Sequence, residues 1–221
     1  MEDIGFIFDW DGVIIDSHDQ HEESWHLLAN EMNTTVPDGF FKKTFGMRNQ
    51  QIIPMWFTHL ADQPEEVAKI GDRKEELYRE IIRRDGIEPL PGVREFLTAM
   101  KQDGILASVG SSTPRKNIET VIEMASLHGF FDAIVSAEDV KRGKPEPDVF
   151  LLSAQKIGRE PSRCVVFEDA FVGIEAGLSA GMKVTAIAST NPIAALHRAH
   201  HAVENLVGIT PSDLLGRLGL K

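Results

Sequence analysis

The stretch Ile4-Gly5-Phe6-Ile7-Phe8-Asp9-Trp10-Asp11-Gly12-Val13-Ile14-Ile15-Asp16-Ser17 decides the fold. Its opening apolar run is too short for a stable helix and rich in strand formers, so it reads as a buried strand. Asp9 then stands at the strand's carboxyl end, where open α/β sheets place their ligands. In a regular strand Asp9 and Asp11 would share one face. Gly12 marks the point where the chain turns away, because glycine reaches backbone angles closed to other residues. Two carboxylates held side by side repel each other. A divalent cation relieves that repulsion and leaves one carboxylate free to act on a phosphorus or carbon centre. Alone, Asp-x-Asp-Gly is equally a turn, so its meaning depends on the rest of the chain.

The 221 residues allow one large domain, or a main domain carrying a smaller insertion. Hydrophobic content of 42% and charged content of 26% are ordinary for a soluble globular enzyme. A net charge of −11 with no long basic run argues against nucleic acid as a partner. The single cysteine, Cys164, excludes an internal disulfide and matches a reducing compartment. Glu2 and Asp3 lead straight into a strand, so no signal peptide is expected. No apolar run approaches membrane-spanning length. The expectation is a soluble, cytoplasmic protein without a membrane partner.

From about residue 17 to 88 the pattern is helical. Trp25, Leu27, Leu28 and Met32 recur at helical spacing, and residues 33–39 form a polar break. Ile52, Ile53, Met55, Trp56 and Leu60 predict a second helix, with Pro54 in its first turn. Residues 64–84 form the longest periodic segment, and no strand is expected in this block. From Pro89 helices and strands alternate: helix to Met100, strand 105–109, helix 114–127, strand 133–136, helix 145–157, strand 164–167, helix 170–180 and strand 183–188. A short helix follows Pro211. Such alternation predicts a parallel sheet covered on both sides. The fold class is therefore α/β: a Rossmann-like core of residues 1–15 and 89–221 with an inserted α-helical domain of residues 16–88.

Four strand ends carry polar groups that can converge on one crevice. The first gives Asp9 and Asp11. The second gives Ser111, Ser112 and Thr113 ahead of a helix, which alone reads as capping but also suits a phosphate. The third element is Lys144 before Pro145, at what reads as a helix entrance, a poor place for a cation unless anions face it. The fourth is Glu168-Asp169. Four carboxylates with a phosphate require cations, and one hard dication plus one lysine come close to balancing them. The chemistry that follows is attack by Asp9 on phosphorus, with Asp11 moving the proton.

In this order the motifs resemble the haloacid dehalogenase superfamily, in particular its β-phosphoglucomutase-like phosphatases and mutases. Asp9-Trp10-Asp11-Gly12-Val13 matches the first motif, Ser111 the second and Lys144-Pro145 the third. Glu168-Asp169 with Gly173-Ile174-Glu175-Ala176-Gly177 matches the fourth. The resemblance spans essentially the whole chain. It implies Mg²⁺ held by Asp9, Asp169 and the main-chain carbonyl of Asp11, with Glu168 nearby. It also implies an aspartyl-phosphate on Asp9, phosphate held by Ser111 and Lys144, and a helical cap of residues 16–88 that closes to exclude water.

Within that superfamily Asp11 argues against dehalogenation, where relatives carry tyrosine, and against carbon–phosphorus hydrolysis, where they carry a small residue. Phosphate esters remain, for a hydrolase or a mutase. His21 resembles a cap-hinge histidine, though Glu22 and Glu23 beside it equally fit an exposed helix face. Gly46-Met47-Arg48-Asn49 lies where mutases keep an arginine for a second phosphate; here the arginine comes one position early and Asn49 takes its place. Arg73-Lys74 resembles the other cationic cap element, and a solvated helix face explains it as well. This weaker pattern favours a Mg²⁺-dependent phosphatase of a small phosphorylated metabolite, working as a monomer. A mutase is the alternative, and an inactive binding scaffold a lesser one. His197, His200 and His201 lack the partners of a zinc site and are expected to border a helix-to-strand turn. Cys164 is expected to be packing.

Overall fold

A computed structural model describes residues 3–44 and 47–220; Gly46 of the Gly46-Met47-Arg48-Asn49 stretch lies outside the described residues. The chain forms two compact units, one of residues 1–16 and 87–221 and one of residues 17–86.

The larger unit is built on six strands: β1 (Gly5–Phe8), β2 (Leu106–Gly110), β3 (Ala133–Val135), β4 (Cys164–Glu168), β5 (Lys183–Ile187) and β6 (His201–Val203). All pairings are parallel, in the order β3-β2-β1-β4-β5-β6. Central β1 sets Phe8 beside Val109 on one side and Phe167 on the other. A parallel strand in this position is buried on both faces, which explains its unbroken apolar run.

Alternation along β1 assigns the faces. Phe6 and Phe8 join Phe167 and Phe96 in one aromatic group; Phe8 and Phe167 stack with centroids 4.4 Å apart. Phe96 belongs to the first helix of this unit after the insertion (Val93–Gln102), which also packs against the C-terminal helix Pro211–Leu218. Ile7 points the other way, into a cluster with Phe150, Ala154, Val166 and Ile174. Helices therefore cover both faces. Truncating a fully buried Phe of this kind costs about 3–5 kcal/mol.

The smaller unit holds α1 (His18–Glu31), α2 (Phe40–Thr44), α3 (Asn49–Trp56) and α4 (Pro64–Asp85), with one 3₁₀ turn at Thr58–Leu60. No strand occurs among its described residues. Trp25, Leu28, Phe41, Ile52, Ile53, Leu60, Val67 and Leu77 form its core. α4 begins with Pro64 and carries Glu65 and Glu66 in its first turn and Arg83 and Arg84 in its last. Proline suits the first position and the charges oppose the helix dipole. The remaining helices of the larger unit are α5 (Val93–Gln102), α6 (Arg115–Met124), α7 (Asp148–Lys156), α8 (Phe171–Ser179) and α9 (Pro211–Leu218). None of the described helices is long and apolar enough to cross a membrane.

Four details differ from the sequence expectation. β6 is an additional edge strand, too short and too histidine-rich to announce itself. α7 begins at Asp148 rather than Pro145, so Lys144 lies in a loop and not at a helix entrance. α3 begins at Asn49, which puts Pro54 in its second turn, two residues before the end. β1 stops at Phe8 and the chain bends away after Asp9, so Asp9 and Asp11 do not share a strand face.

Candidate active site

Asp9, Ser111 and Glu168-Asp169 all stand at the carboxyl edge of β1, β2 and β4. Asp9 donates its main-chain N–H to Phe167 O over 2.9 Å, which continues the β1–β4 pairing by one residue. Lys144 reaches in from its loop. Its ammonium donates to Asp9 Oδ1 and Glu168 Oε1, each over 2.6 Å, and lies 4.9 Å from the Phe150 ring centroid. The Lys144-Pro145 peptide bond is cis.

Glu168 is fully committed. Its Oε1 accepts from Lys144, and its Oε2 accepts the main-chain N–H groups of Asp169 and Ala170, both at 2.8 Å. Gly173 in the first turn of α8 makes room for it: a Cβ there would sit 1.7 Å from Glu168 Oε1. Asp169 is fixed from the opposite direction. Its Oδ2 accepts the Thr190 hydroxyl over 2.6 Å. Gly12, at φ 79°, lies so close that a Cβ would fall 2.1 Å from the same oxygen.

Asp11 points elsewhere and accepts a hydrogen bond from the Thr113 hydroxyl. Ser111 is buried, and its Oγ accepts the Thr113 main-chain N–H over 3.2 Å. Ser112 is half-buried in the same turn. Asp9, Ser111, Lys144, Glu168 and Asp169 are thus assembled around one sheet edge, with Asp11 joined to it through Thr113.

Electrostatics follow from burial. Desolvation raises Asp9 to about 7, helped by the negative charge of Glu168 and opposed by Lys144. Desolvation likewise raises Asp169 to about 8, with Glu168 and Asp9 adding to it. Burial alone would lower Lys144, yet the Asp9 and Glu168 charges overcome it and hold the ammonium firmly protonated. One cation faces three buried carboxylates. Oxygens of Asp9, Glu168 and Asp169 lie within 4.8 Å of one another. This hard-oxygen set with surplus negative charge fits a divalent cation such as Mg²⁺.

A family model for haloacid dehalogenase-like hydrolases matches residues 5–181. The chain belongs to that family. A 5-amino-6-(5-phospho-D-ribitylamino)uracil phosphatase of the Arabidopsis thaliana chloroplast is 35% identical over 96% of this chain. The chain spans 57% of that protein's length. Hexitol phosphatase B of Escherichia coli strain K12 is 31% identical, over 95% of this chain and 96% of its own. The crystal structure of a β-phosphoglucomutase from Clostridium difficile superposes with a TM-score of 0.82 at 26% identity, covering 99% of this chain and 98% of that one. The β-phosphoglucomutase-like group is the part of the family this hydrolase resembles.

In the helical unit of this hydrolase, His21, Asn49 and Lys74 come together. Lys74 Nζ lies 2.7 Å from His21 Nδ1 and donates to Glu75 Oε1 over 3.2 Å, beneath the Trp25 and Tyr78 rings. Asn49 donates to the same Glu75 oxygen over 2.7 Å. His21 stacks on Tyr78. The Arg73-Lys74 pair therefore divides. Arg73 lies on the solvated face, bound to Glu31, Glu76 and Glu80, whereas Lys74 is buried. Arg48 sits at the start of α3, and among the described residues no hydrogen bond joins it to that cluster.

Sequence reasoning missed Ser189, Thr190 and Asn191, which hold Gly12 O and Asp169. Thr113, named there only as part of a cap or phosphate turn, holds Asp11. The histidines near the C-terminal edge serve β6: His200 exchanges hydrogen bonds with the Val184 main chain, and His201 Nε2 lies 3.4 Å from Arg217. Burial pushes the Cys164 thiol up to about 11, in keeping with a packing role.

Proposed function

We propose that this hydrolase cleaves the phosphate monoester of a small sugar or polyol, with Asp9 as nucleophile and Asp11 as acid and base. The clustering of Asp9, Glu168 and Asp169, the first two bridged by Lys144, carries the reading. Asp9 attacks phosphorus as the ester P–O bond breaks, and the departing alkoxide takes the proton held by Asp11. The phosphoryl group now rests on Asp9. Asp11, as a carboxylate, takes a proton from water while the water oxygen attacks phosphorus. Breaking of the Asp9–phosphorus bond releases inorganic phosphate and restores both acids.

Ser111, Ser112 and Lys144 are the residues proposed to hold the phosphate. Thr113 keeps the Asp11 carboxyl oriented. Asp9 and Asp169, with the main-chain carbonyl of Asp11, would hold Mg²⁺, and Glu168 would support them from behind Lys144. When bound, the ion supplies positive charge that offsets these carboxylates and the incoming phosphate. The helical unit is proposed as the cap, with the half-buried His21 and Asn49 as its polar reading surface and the buried Lys74 holding His21 in place.

Two points favour hydrolysis over phosphate migration. Arg73 is bound by three carboxylates, and Lys74 is committed to Glu75 and His21, so neither is left to grip a second phosphate. Both sequence relatives named above are phosphatases, one of hexitols and one of a phosphoribitylaminouracil, although the superposed structure is a mutase. The test is phosphate release, with Mg²⁺ and with chelator, across hexose, hexitol, ribityl and nucleotide monophosphates. Mg²⁺-dependent release from a narrow set of sugar or polyol esters is expected. Isomerised hexose phosphate without release, in the presence of a trace of bisphosphate, would make the chain a mutase.

A further inference from the structure

We infer that the loop Ser189-Thr190-Asn191 after β5 positions Asp169 for metal binding, and that Thr190 decides which carboxylate oxygen faces the ion. The inference rests on the reading of Asp169 as a metal ligand. Thr190 Oγ donates to Asp169 Oδ2 over 2.6 Å. The same oxygen is walled in by the bare Cα of Gly12. Oδ2 is therefore the hydrogen-bonded and more crowded oxygen, which leaves Oδ1 the freer ligand atom for the cation.

The loop also fixes the backbone on which that carboxylate swings. Asn191 donates its side-chain amide to Asp169 O over 3.1 Å and to Thr190 Oγ over 3.1 Å. Ser189 donates its hydroxyl to Gly12 O, in the turn that follows Asp11. Three consecutive polar residues thus tie the Asp169 turn to the Asp9–Gly12 turn from the rim of the sheet. Without that hydroxyl the carboxylate loses the hydrogen bond that sets its orientation. Residues behind a metal ligand commonly contribute about 10-fold to 100-fold in affinity.

Mg²⁺ binding to chelator-stripped protein, read by isothermal titration calorimetry, tests this without turnover. Thr190→Val, which keeps the volume and removes the hydroxyl, should weaken Mg²⁺ about 10-fold. Thr190→Ser should restore most of the affinity, and thermal unfolding of the metal-free variants checks that each is folded. Should Thr190→Val not fold, Thr190→Ala takes its place in the same comparison. Asp169→Asn, measured alongside, should abolish tight binding. Unchanged affinity in Thr190→Val while Asp169→Asn fails overturns the role of Thr190. Equal weakening in Thr190→Val and Thr190→Ser also overturns it, because the loop and not the hydroxyl would then matter. Unchanged affinity in Asp169→Asn overturns the underlying reading of Asp169 instead.

Discussion

Lys144 donates to Asp9 over 2.6 Å with almost no solvent at either side chain, 7% and 11% exposed respectively. Bonds of this kind are strong only while both partners are present. Replacing Lys144 by Met leaves Asp9, Glu168 and Asp169 without their cation. We expect loss of turnover and a destabilisation of about 3–5 kcal/mol. The deficit should be larger at alkaline pH, where the carboxyls can no longer escape by taking protons. Chemical denaturation at two pH values measures it.

Asp9→Asn should fold and show no phosphate release, because an amide cannot accept the phosphoryl group. Asp11→Asn should keep Mg²⁺ binding and lose about 100-fold to 10,000-fold in kcat, the usual contribution of a proton carrier. Calorimetry and steady-state kinetics together separate the two. Wild-type turnover in either variant would sink the proposed roles.

Metal-free protein should lose stability as pH rises. Asp9 and Asp169 titrate above the ordinary aspartate value, so between the two values the folded state binds more protons than the unfolded one. Their contribution is complete below the unfolded pKa and is lost as pH passes through about 7 and about 8. His200 and His201, lowered chiefly by burial, act in the opposite direction only below about 6.5. Above about pH 6.5, clear of the histidines, the unfolding midpoint should therefore fall in chelator up to about pH 8 and level off beyond it. Mg²⁺ should raise it, more so at the alkaline end. Asp169→Asn should flatten the chelator curve, which differential scanning calorimetry reads directly.

Gly173→Ala should disable the site without touching a reacting group. The added methyl meets Glu168 Oε1 at 1.7 Å, and moving Glu168 breaks its bonds to Lys144 and to two main-chain N–H groups. Overpacking of this sort costs about 1–3 kcal/mol. The expected result is a folded, less stable protein with weakened phosphate release, compared by thermal unfolding and kinetics.

Adjacent cations in α4 should respond differently. Lys74→Met strips a buried partner from Glu75 and should cost about 3–5 kcal/mol. Arg73→Ala removes solvent-exposed bridges to Glu31, Glu76 and Glu80 and should cost less than about 1 kcal/mol. Denaturant midpoints of the two variants test the contrast.

The central strand and the acids at its end were legible in the sequence because periodicity and composition report on burial directly. Lys144 and Glu168-Asp169 are legible as motifs, although Lys144 lies in a loop rather than at a helix entrance and meets its anions at the ends of β1 and β4. Thr190 was not legible. A Ser-Thr-Asn run after a strand reads as a turn, and only the folded chain brings its hydroxyl to an aspartate 21 residues earlier. β6 was missed for a related reason. Three residues carry too little periodicity, and the side chain of His200 completes the pairing that marks it.

The register of β1 constrains how the molecule is made. Its neighbours are Leu106–Gly110 and Cys164–Glu168, so the first strand emerges from the ribosome long before either partner exists. The four helices of residues 17–86 are synthesised in that interval and have their own core, free to form while β1 waits. Closing the sheet around β1 is therefore a late, long-range event, of the slow kind expected for parallel strands distant in sequence. Until it occurs, Phe6 and Phe8 are exposed apolar surface on a nascent chain, and a chaperone that shields such segments would be needed most during that wait.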